Sequence, residues 1–170
     1  MDVALAIRQK RAIRTFAAKP IRDADARRIL DAGRRAQSSK NTQPWHFVAV
    51  RERATLQALT VAGPFAGHVA GAAMAVVIAT PDPAQRWTIP FDAGQAAAYM
   101  QLAAWELGIG SCLVAVYEPE AVRVLLGIPA ELHPYAALSF GYPGDLASLA
   151  RPPRASGRRP ATEVVHWEHW

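Results

Sequence analysis

The fold of this chain is decided by one polar stretch, Ser38-Ser39-Lys40-Asn41-Thr42-Gln43-Pro44-Trp45-His46-Phe47. Six polar residues stand together there, followed by a proline and an aromatic entry into an apolar run. The stretch is too polar for a core and too varied for a flexible linker. It therefore predicts a loop that presents hydroxyl and amide groups to a ligand at the start of a strand. A simple turn or helix stop is the alternative for such a Ser/Asn cluster.

Length and composition indicate one globular domain. The chain has 170 residues, of which 51% are hydrophobic and 19% are charged. No apolar run approaches the roughly 18 residues that a membrane-spanning helix needs, and the N-terminus lacks a basic segment followed by an apolar one. The single cysteine, Cys112, cannot form an internal disulfide, as is usual in a reducing compartment. We expect a cytoplasmic protein.

The net charge of +5 is concentrated in two segments that contain no acid. Residues 3–22 hold six bases and residues 146–162 hold four. Such segments are solvated surface or contribute to an anion site. Nucleic-acid binding is a further interpretation of basic charge, but no recognition-helix, zinc-finger or RNP pattern accompanies it, so we expect no nucleic-acid partner. The five histidines show no metal-ligand spacing, and Cys112, within an apolar strand, is expected to be inert.

Hydrophobic periodicity, interrupted by Gly and Pro, predicts alternating helices and short strands. The predicted helices cover residues 2–9, with Asp2 as the N-terminal cap, 23–36, 52–60, 91–107 and 119–126, with one or two helical turns at 65–70. The predicted strands cover residues 46–50, 73–80, 111–116 and 135–142, and residues 11–16 form an extended segment. The almost uninterrupted apolar run at 73–80 predicts a strand covered on both faces. This order predicts an α+β or mixed α/β sandwich.

Two segments suggest contacts beyond an ordinary surface. Between Asp92 and Glu106 there is no charge, so the helix there is expected to be buried on nearly every side, either in the domain centre or at a subunit interface. The segment 143–160 is rich in Pro, Arg and Gly, and the chain then ends in Val164-Val165-His166-Trp167-Glu168-His169-Trp170. An aromatic ending after an extended arm predicts docking onto the chain's own body or onto a partner.

A set of motifs, taken in order, resembles the nitroreductase family. Residues 10–16 (KRAIRTF) resemble the family's R-R-S-x-R-x-F opening, and residues 38–45 resemble its S-S-x-N-x-Q-P-W loop. Asp92-Ala93-Gly94 and residues 107–112 (LGIGSC) resemble its long interface helix and the following strand. Further counterparts are residues 126–129, 140–143 and 158–160, and the closing 164–167.

This resemblance implies an α+β nitroreductase-like fold, with a central, mostly antiparallel sheet flanked by helices. It implies one domain over residues 1–170, in which 143–170 form an extended C-terminal arm that docks on the partner subunit of a homodimer. It also implies a flavoprotein that uses FMN. NADH or NADPH would deliver a hydride to flavin N5, and a small organic acceptor of nitro or quinone type would take the electrons in a ping-pong reaction. No membrane partner is expected.

The resemblance also implies which residues bind the cofactor. The FMN phosphate would be held by Lys10, Arg14 and Arg158, with Arg11 and Arg159 as neighbours. Ser38, Ser39 and Asn41 would reach the ribityl chain and ring edge from the partner subunit. The backbone N–H of about Ala115 would meet flavin N5. No side chain is named as catalytic, and no metal is expected.

Several positions depart from the family pattern. Lys10 replaces an arginine, Ala12 a serine and Gln37 a proline, and the segment around 65–68 lacks the Asn and Lys with which some relatives contact the flavin. The segment 81–90 is short, so the substrate pocket should be open. Alternatives therefore stay: a flavin-dependent dehydrogenase or tailoring enzyme with oxygen as acceptor, and a flavin-binding protein without turnover.

Overall fold

The computed structural model describes residues 2–145 and 158–170. Its α-helices are α1 (Val3–Gln9), α2 (Asp23–Arg34), α3 (Arg53–Ala58), α4 (Thr88–Glu106) and α5 (Pro119–Leu126). Its strands are β1 (His46–Val50), β2 (Met74–Thr80), β3 (Gly110–Ala115) and β4 (His133–Gly141). Short 3-10 helices cover Ser39–Asn41, Leu59–Ala62, Ala66–Gly71 and Ala161–Glu163. No helix in the described part is both long and apolar enough to cross a membrane.

The four strands form one antiparallel sheet in the order β1-β2-β4-β3. The register pairs Val48 with Val77 across the first ladder and Cys112 with Ser139 across the last. A register shift interrupts the β2–β4 ladder between Ile78 and Ala79. The sheet and its flanking helices confirm the predicted α+β fold.

Strand β2 lies inside the sheet, and all seven of its residues are buried. Alternate side chains along a strand point to opposite faces, so β2 contributes to two apolar layers. One face packs against α2 and α4, and includes Val76, Ile78, Leu138, Phe140, Ile29 and Met100. The other face packs against α3, α5 and the 3-10 segments, and includes Val77, Ala137, Leu56, Leu59 and Val122. The prediction of a strand covered on both sides is confirmed.

Most element boundaries fall within two residues of those expected, and the exceptions have local causes. Asp2 caps α1 by accepting the Ala4 N–H at 3.1 Å, as predicted. Helix α4 begins at Thr88, earlier than expected, because Pro90 lies in its first turn, where the missing N–H has no intrahelical partner to lose. The helix expected over 52–60 is α-helical only to Ala58 and continues as a 3-10 turn.

Within one chain, helix α4 is buried on one side only, so the subunit interface expected as one of its two locations stays a prediction for the outer face. Its inner face, which includes Ala93, Ala96 and Met100, is buried against the sheet and α2. Its outer face is exposed, with Phe91 at 59% and Tyr99 at 40% of their full accessible area. A neutral helix with an exposed apolar face is suited to packing against a second protein surface.

Residues 11–17 cross the end of the sheet where β3 begins and β4 ends. Ile13 N–H donates to the Ser111 carbonyl at 2.9 Å, and Ala17 N–H donates to the Tyr142 carbonyl at 2.8 Å. Two glycines permit this close approach. A Cβ at Gly110 would lie 2.7 Å from Ile13, and a Cβ at Gly141 would lie 2.7 Å from the Phe16 ring. The two glycines therefore determine how closely the segment that carries Lys10 and Arg14 approaches the sheet.

The C-terminal segment 158–170 lies exposed along its whole length. Trp167 and Trp170 expose 80% and 102% of their full accessible area, and the Trp170 ring stacks on His166 at 4.3 Å between centroids. The rest of the predicted arm between 146 and 157 lies outside the described residues. Docking of the arm therefore stays a prediction.

Replacing Gly110 with alanine should destabilise the protein by about 1–3 kcal/mol, because the added methyl overlaps Ile13 and overpacking of this kind costs that much. Gly71→Ala is the matched control, since a Cβ there meets no atom within 4 Å. Urea unfolding followed by circular dichroism measures both. Equal stability of the two variants would contradict the close approach described above.

Candidate functional site

Lys10 and Arg14 lie together beside Cys112 on β3. Lys10 ends α1, where its N–H donates to the Ala6 carbonyl at 2.8 Å, and Arg14 lies within hydrogen-bonding reach of the Cys112 thiol. Burial lowers the pKa of Lys10 from its ordinary value of 10.5. Burial also raises the pKa of the Cys112 thiol, although Arg14 and Lys10 oppose that shift. Cys112 is thus a neutral, buried group, and the local charge is positive.

This positive charge is not neutralised within the described chain. Across residues 2–145 and 158–170, neither Lys10 nor Arg14 forms an ion pair with a carboxylate, whereas five arginines elsewhere pair with a carboxylate within 3 Å: Arg22, Arg34, Arg35, Arg51 and Arg123. Two neighbouring cations without a counter-ion favour an anionic ligand. The residues present therefore fit a phosphate group.

His68 joins this group from the 3-10 helix Ala66–Gly71, and sequence reasoning did not select it. Its Nδ1 lies 2.8 Å from the Ser139 hydroxyl, which donates its proton to the Cys112 carbonyl at 3.3 Å. Ser139 must therefore accept from Nδ1–H, which leaves Nε2 of the neutral ring as an acceptor. Burial, and secondarily the charge of Arg14, lowers the pKa of His68 below 6.5.

Ser38, Ser39 and Asn41 form a second group in the connection between α2 and β1. Residues Ser39–Asn41 make one 3-10 turn. This backbone is compatible both with the predicted ligand loop and with the simple turn that was its alternative. Gln43 N–H donates to Ser38 Oγ at 2.9 Å. Ser39 N–H donates to Asp92 Oδ2 at 3.0 Å. The Asn41 side chain is exposed.

His68 and the Ser38–Asn41 turn lie on different sides of the sheet, whereas Lys10 lines a groove with α4 and Leu113 of β3. His68 and Ser139 bond on the face that packs against α3, α5 and the 3-10 segments, whereas the Ser38–Asn41 turn is bound to α4, which covers the other face. In the described parts of the chain, no hydrogen bond or ion pair joins Lys10 or Arg14 to the Ser38–Asn41 turn. Whether these residues share one cofactor site stays a prediction.

The backbone N–H of Ala115 points away from the sheet. Val116 N–H donates to the Tyr135 carbonyl at 3.4 Å, while the register pairs Ala115 with Ala136. Because the direction of backbone groups alternates along an antiparallel ladder, the Ala115 N–H faces the outer edge of β3. The Ser111 carbonyl faces the same edge and accepts Ile13 N–H there. A ligand at this edge can reach the Ala115 donor.

The remaining predicted ligands lie at the surface. Arg11 Nε donates to the Gln9 carbonyl at 3.3 Å, while Arg158 and Arg159 lie in the exposed C-terminal segment. Their convergence with Lys10 and Arg14 stays a prediction. Within the described residues, no group of three or more His, Cys, Asp or Glu could hold a metal ion.

Comparisons with known proteins agree with this fold. The model of the nitroreductase family matches residues 7–142. A relative from Archaeoglobus fulgidus, which carries the provisional name NADH dehydrogenase/NAD(P)H nitroreductase, is 36% identical over 80% of this chain and 82% of its own length. An NADH dehydrogenase from Thermus thermophilus is 30% identical over 98% of this chain and 96% of its own.

Solved structures give the same result. A crystal structure from Bacteroides thetaiotaomicron, with the same provisional name, superposes with a TM-score of 0.85 at 27% identity and covers 100% of this chain and 99% of that one. An FMN-dependent nitroreductase from Clostridium difficile has a TM-score of 0.85 at 25% identity, over 97% and 98% of the two chains. The chain belongs to the nitroreductase family, and it is an oxidoreductase of that family.

The lowered pKa of His68 predicts a pH-dependent stability. Between the folded pKa and the unfolded value near 6.5, the unfolded chain binds more protons. The free energy of unfolding should therefore fall as the pH drops from about 7 to 5, and His68→Gln should reduce that fall. Urea unfolding at both pH values measures it, with His169→Gln in the exposed tail as control. An NMR titration of His68 with a midpoint at or above 6.5 would contradict the assignment.

Proposed function

We propose that this protein is a homodimeric, FMN-dependent NAD(P)H oxidoreductase that reduces a small organic acceptor of nitro or quinone type. The observation that carries the proposal is the pair of neighbouring cations, Lys10 and Arg14, which form no ion pair with a carboxylate of the described residues and lie at the end of a nitroreductase-family sheet. The names of the relatives, which include an FMN-dependent nitroreductase and an NADH dehydrogenase, support the same chemistry.

The phosphate of FMN suits the cation group. A hydrogen bond to a charged group contributes roughly 1.5–3 kcal/mol, and the planar Arg14 guanidinium can make two in parallel. Lys10 supplies a point charge without that two-pronged geometry. We propose that Arg158 and Arg159, with Arg11 nearby, complete the phosphate site from the C-terminal arm. The short Lys10–Arg14 segment is held by backbone bonds to the sheet, so its charges are placed before the ligand arrives.

The protein's contribution to the chemistry is placement and electrostatics. When bound, FMN would supply the redox chemistry, by which a hydride from NADH or NADPH is taken up and electrons pass to the acceptor. The outward N–H of Ala115 would donate a hydrogen bond at N5, and Ser38, Ser39 and Asn41 would hold the ribityl chain and ring edge. No side chain is assigned as acid or base. The cytoplasmic location stays a prediction.

A homodimer is the assembly in which we expect the two groups to meet in one site. The α1–α4 face, defined here by Val3, Ile7, Phe91, Tyr99 and Leu113, exposes 40–67% of each of these side chains. A groove of about 320 Å³ runs along it between α1, α4 and β3, and Lys10 lines one part of its wall. Pairing of this face would bury apolar area beside the cation group. The exposed tryptophans of residues 158–170 would then dock on the partner, as the predicted arm requires.

An anaerobic stopped-flow titration tests the activity. Purified protein should be yellow, and NADH or NADPH should bleach it within the turnover time. Reoxidation by a quinone or nitro compound in the absence of oxygen supports the proposed reductase. Reoxidation by oxygen alone supports the dehydrogenase or tailoring alternative. A yellow protein that neither nicotinamide bleaches would be a flavin-binding protein without turnover, and a colourless protein would contradict FMN binding.

Arg14→Ala combined with Arg158→Ala should give a folded protein depleted of flavin, because two phosphate partners are lost. The expected loss of affinity is at least a hundredfold, measured by quenching of FMN fluorescence. Arg34→Ala with Arg123→Ala removes the same charge from two exposed ion pairs and should leave the affinity within about threefold. Full FMN occupancy in the first double variant would show that the arginine assignment is wrong.

Ile7→Glu should convert the dimer to a monomer, because it places a charge in the proposed apolar interface. Val124→Glu is the matched control, since Val124 on α5 is 70% exposed and Ile7 is 63% exposed. Sedimentation equilibrium measures the assembly state, and FMN titration measures binding. The monomeric variant should also lose flavin. A dimer of unchanged stability with Ile7→Glu would place the interface elsewhere.

A further inference from the structure

The turn that carries Ser38, Ser39 and Asn41 has an unusual backbone. Lys40, Asn41 and Gln43 adopt positive φ angles of 52°, 55° and 47°. None is glycine, and side chains with a Cβ disfavour this left-handed region, although Asn tolerates it better than most. Three such residues within four positions do not hold their shape by intrinsic preference. Contacts with the rest of the structure must hold them.

Two described hydrogen bonds, each donated by a backbone N–H to a side-chain oxygen, hold the ends of this turn. One is local, from Gln43 N–H to Ser38 Oγ. The other crosses to α4, where Asp92 Oδ2 accepts the Ser39 N–H at 3.0 Å, although the two residues are 53 positions apart. The second bond is the side-chain hydrogen bond, among those described, that ties the turn to another element. It therefore sets where the turn stands relative to the body.

Anchoring the turn to α4 is the one role that the described contacts give to Asp92. Only 2% of its accessible area is exposed, and it forms no ion pair with any described residue. Burying a carboxylate is unfavourable unless its oxygens accept hydrogen bonds, and among the described residues the Ser39 N–H donates to Asp92. An apolar residue at this helix position would pack without that cost, so the carboxylate has a role beyond filling the core.

We propose that Asp92 is a positioning residue that fixes the Ser38–Asn41 turn for contact with the flavin, an inference that rests on the proposed function. It acts through the Ser39 backbone and does not touch the cofactor. Its neighbour Phe91 belongs to the α1–α4 face. The same turn of α4 therefore carries an interface side chain outward and the anchor of the ligand turn inward. Flavin affinity then depends on α4 through one carboxylate oxygen.

The test compares Asp92→Ala with Asp92→Asn. The carboxamide oxygen of asparagine can accept the Ser39 N–H, whereas alanine leaves that N–H without its partner. We expect Asp92→Ala to weaken FMN binding at least tenfold and to leave the protein dimeric, and Asp92→Asn to stay within about threefold of the parent. Glu52→Ala is the control, because it removes an exposed carboxylate that accepts the Ala54 and Thr55 N–H groups at the start of α3.

A second readout does not involve FMN. Amide hydrogen exchange at Ser39, followed by NMR, should accelerate at least tenfold in Asp92→Ala and much less in Asp92→Asn. If Asp92→Ala does not fold, the test rests on Asp92→Asn. The proposal then requires that this variant keep the Ser39 amide protection and the FMN affinity of the parent. Unchanged FMN affinity in a folded Asp92→Ala, or equal losses in both variants, overturns the proposal. A parent protein that binds no FMN contradicts the proposed function, whereas unchanged Ser39 exchange contradicts the anchor itself.

Discussion

The complete burial of β2 determines the rest of this molecule. Because its seven residues are covered on both faces, the sheet separates two apolar layers, and each helix is assigned to one of them. The Ser38–Asn41 turn is bound to α4, and the segment that carries Lys10 and Arg14 lies against β3. In the function we propose, a second copy of the chain brings the Lys10–Arg14 segment of one subunit beside the Ser38–Asn41 turn of the other.

Electrostatics then distinguishes the two halves. The cation group has two basic side chains, a neutral thiol and a histidine whose pKa is lowered, so it favours an anion and resists further protonation. The Ser38–Asn41 turn is uncharged apart from Lys40. Its negative partner Asp92 accepts a hydrogen bond from a backbone N–H and is shielded from solvent. In the function we propose, the cations would attract the FMN phosphate, while the turn would offer directional hydrogen bonds to a neutral portion of the same cofactor.

Several features could be predicted from the sequence because they depend on local pattern. A few consecutive residues are enough to recognise each of three features: the apolar run at 74–80, the cap at Asp2 and the Ser38–Trp45 motif. The features that could not be predicted depend on register and distance. His68 was missed because its partner Ser139 is 71 positions away, and Asp92 gave no sign of its bond to Ser39. The sequence left open whether α4 lies in the domain centre or at a subunit interface, because an uncharged run alone does not distinguish a core from a partner surface.

The outward direction of the Ala115 amide arises from strand parity and not from a side chain. Ordinary substitutions at this position would leave the donor in place, so the residue type can drift during evolution while the donor persists. Proline would abolish it, and a single-residue insertion in β3 before Ala115 would turn this amide to the opposite side unless a β-bulge absorbed the extra residue. Strand β3 should therefore tolerate most substitutions at this position but not insertions or deletions that change its length.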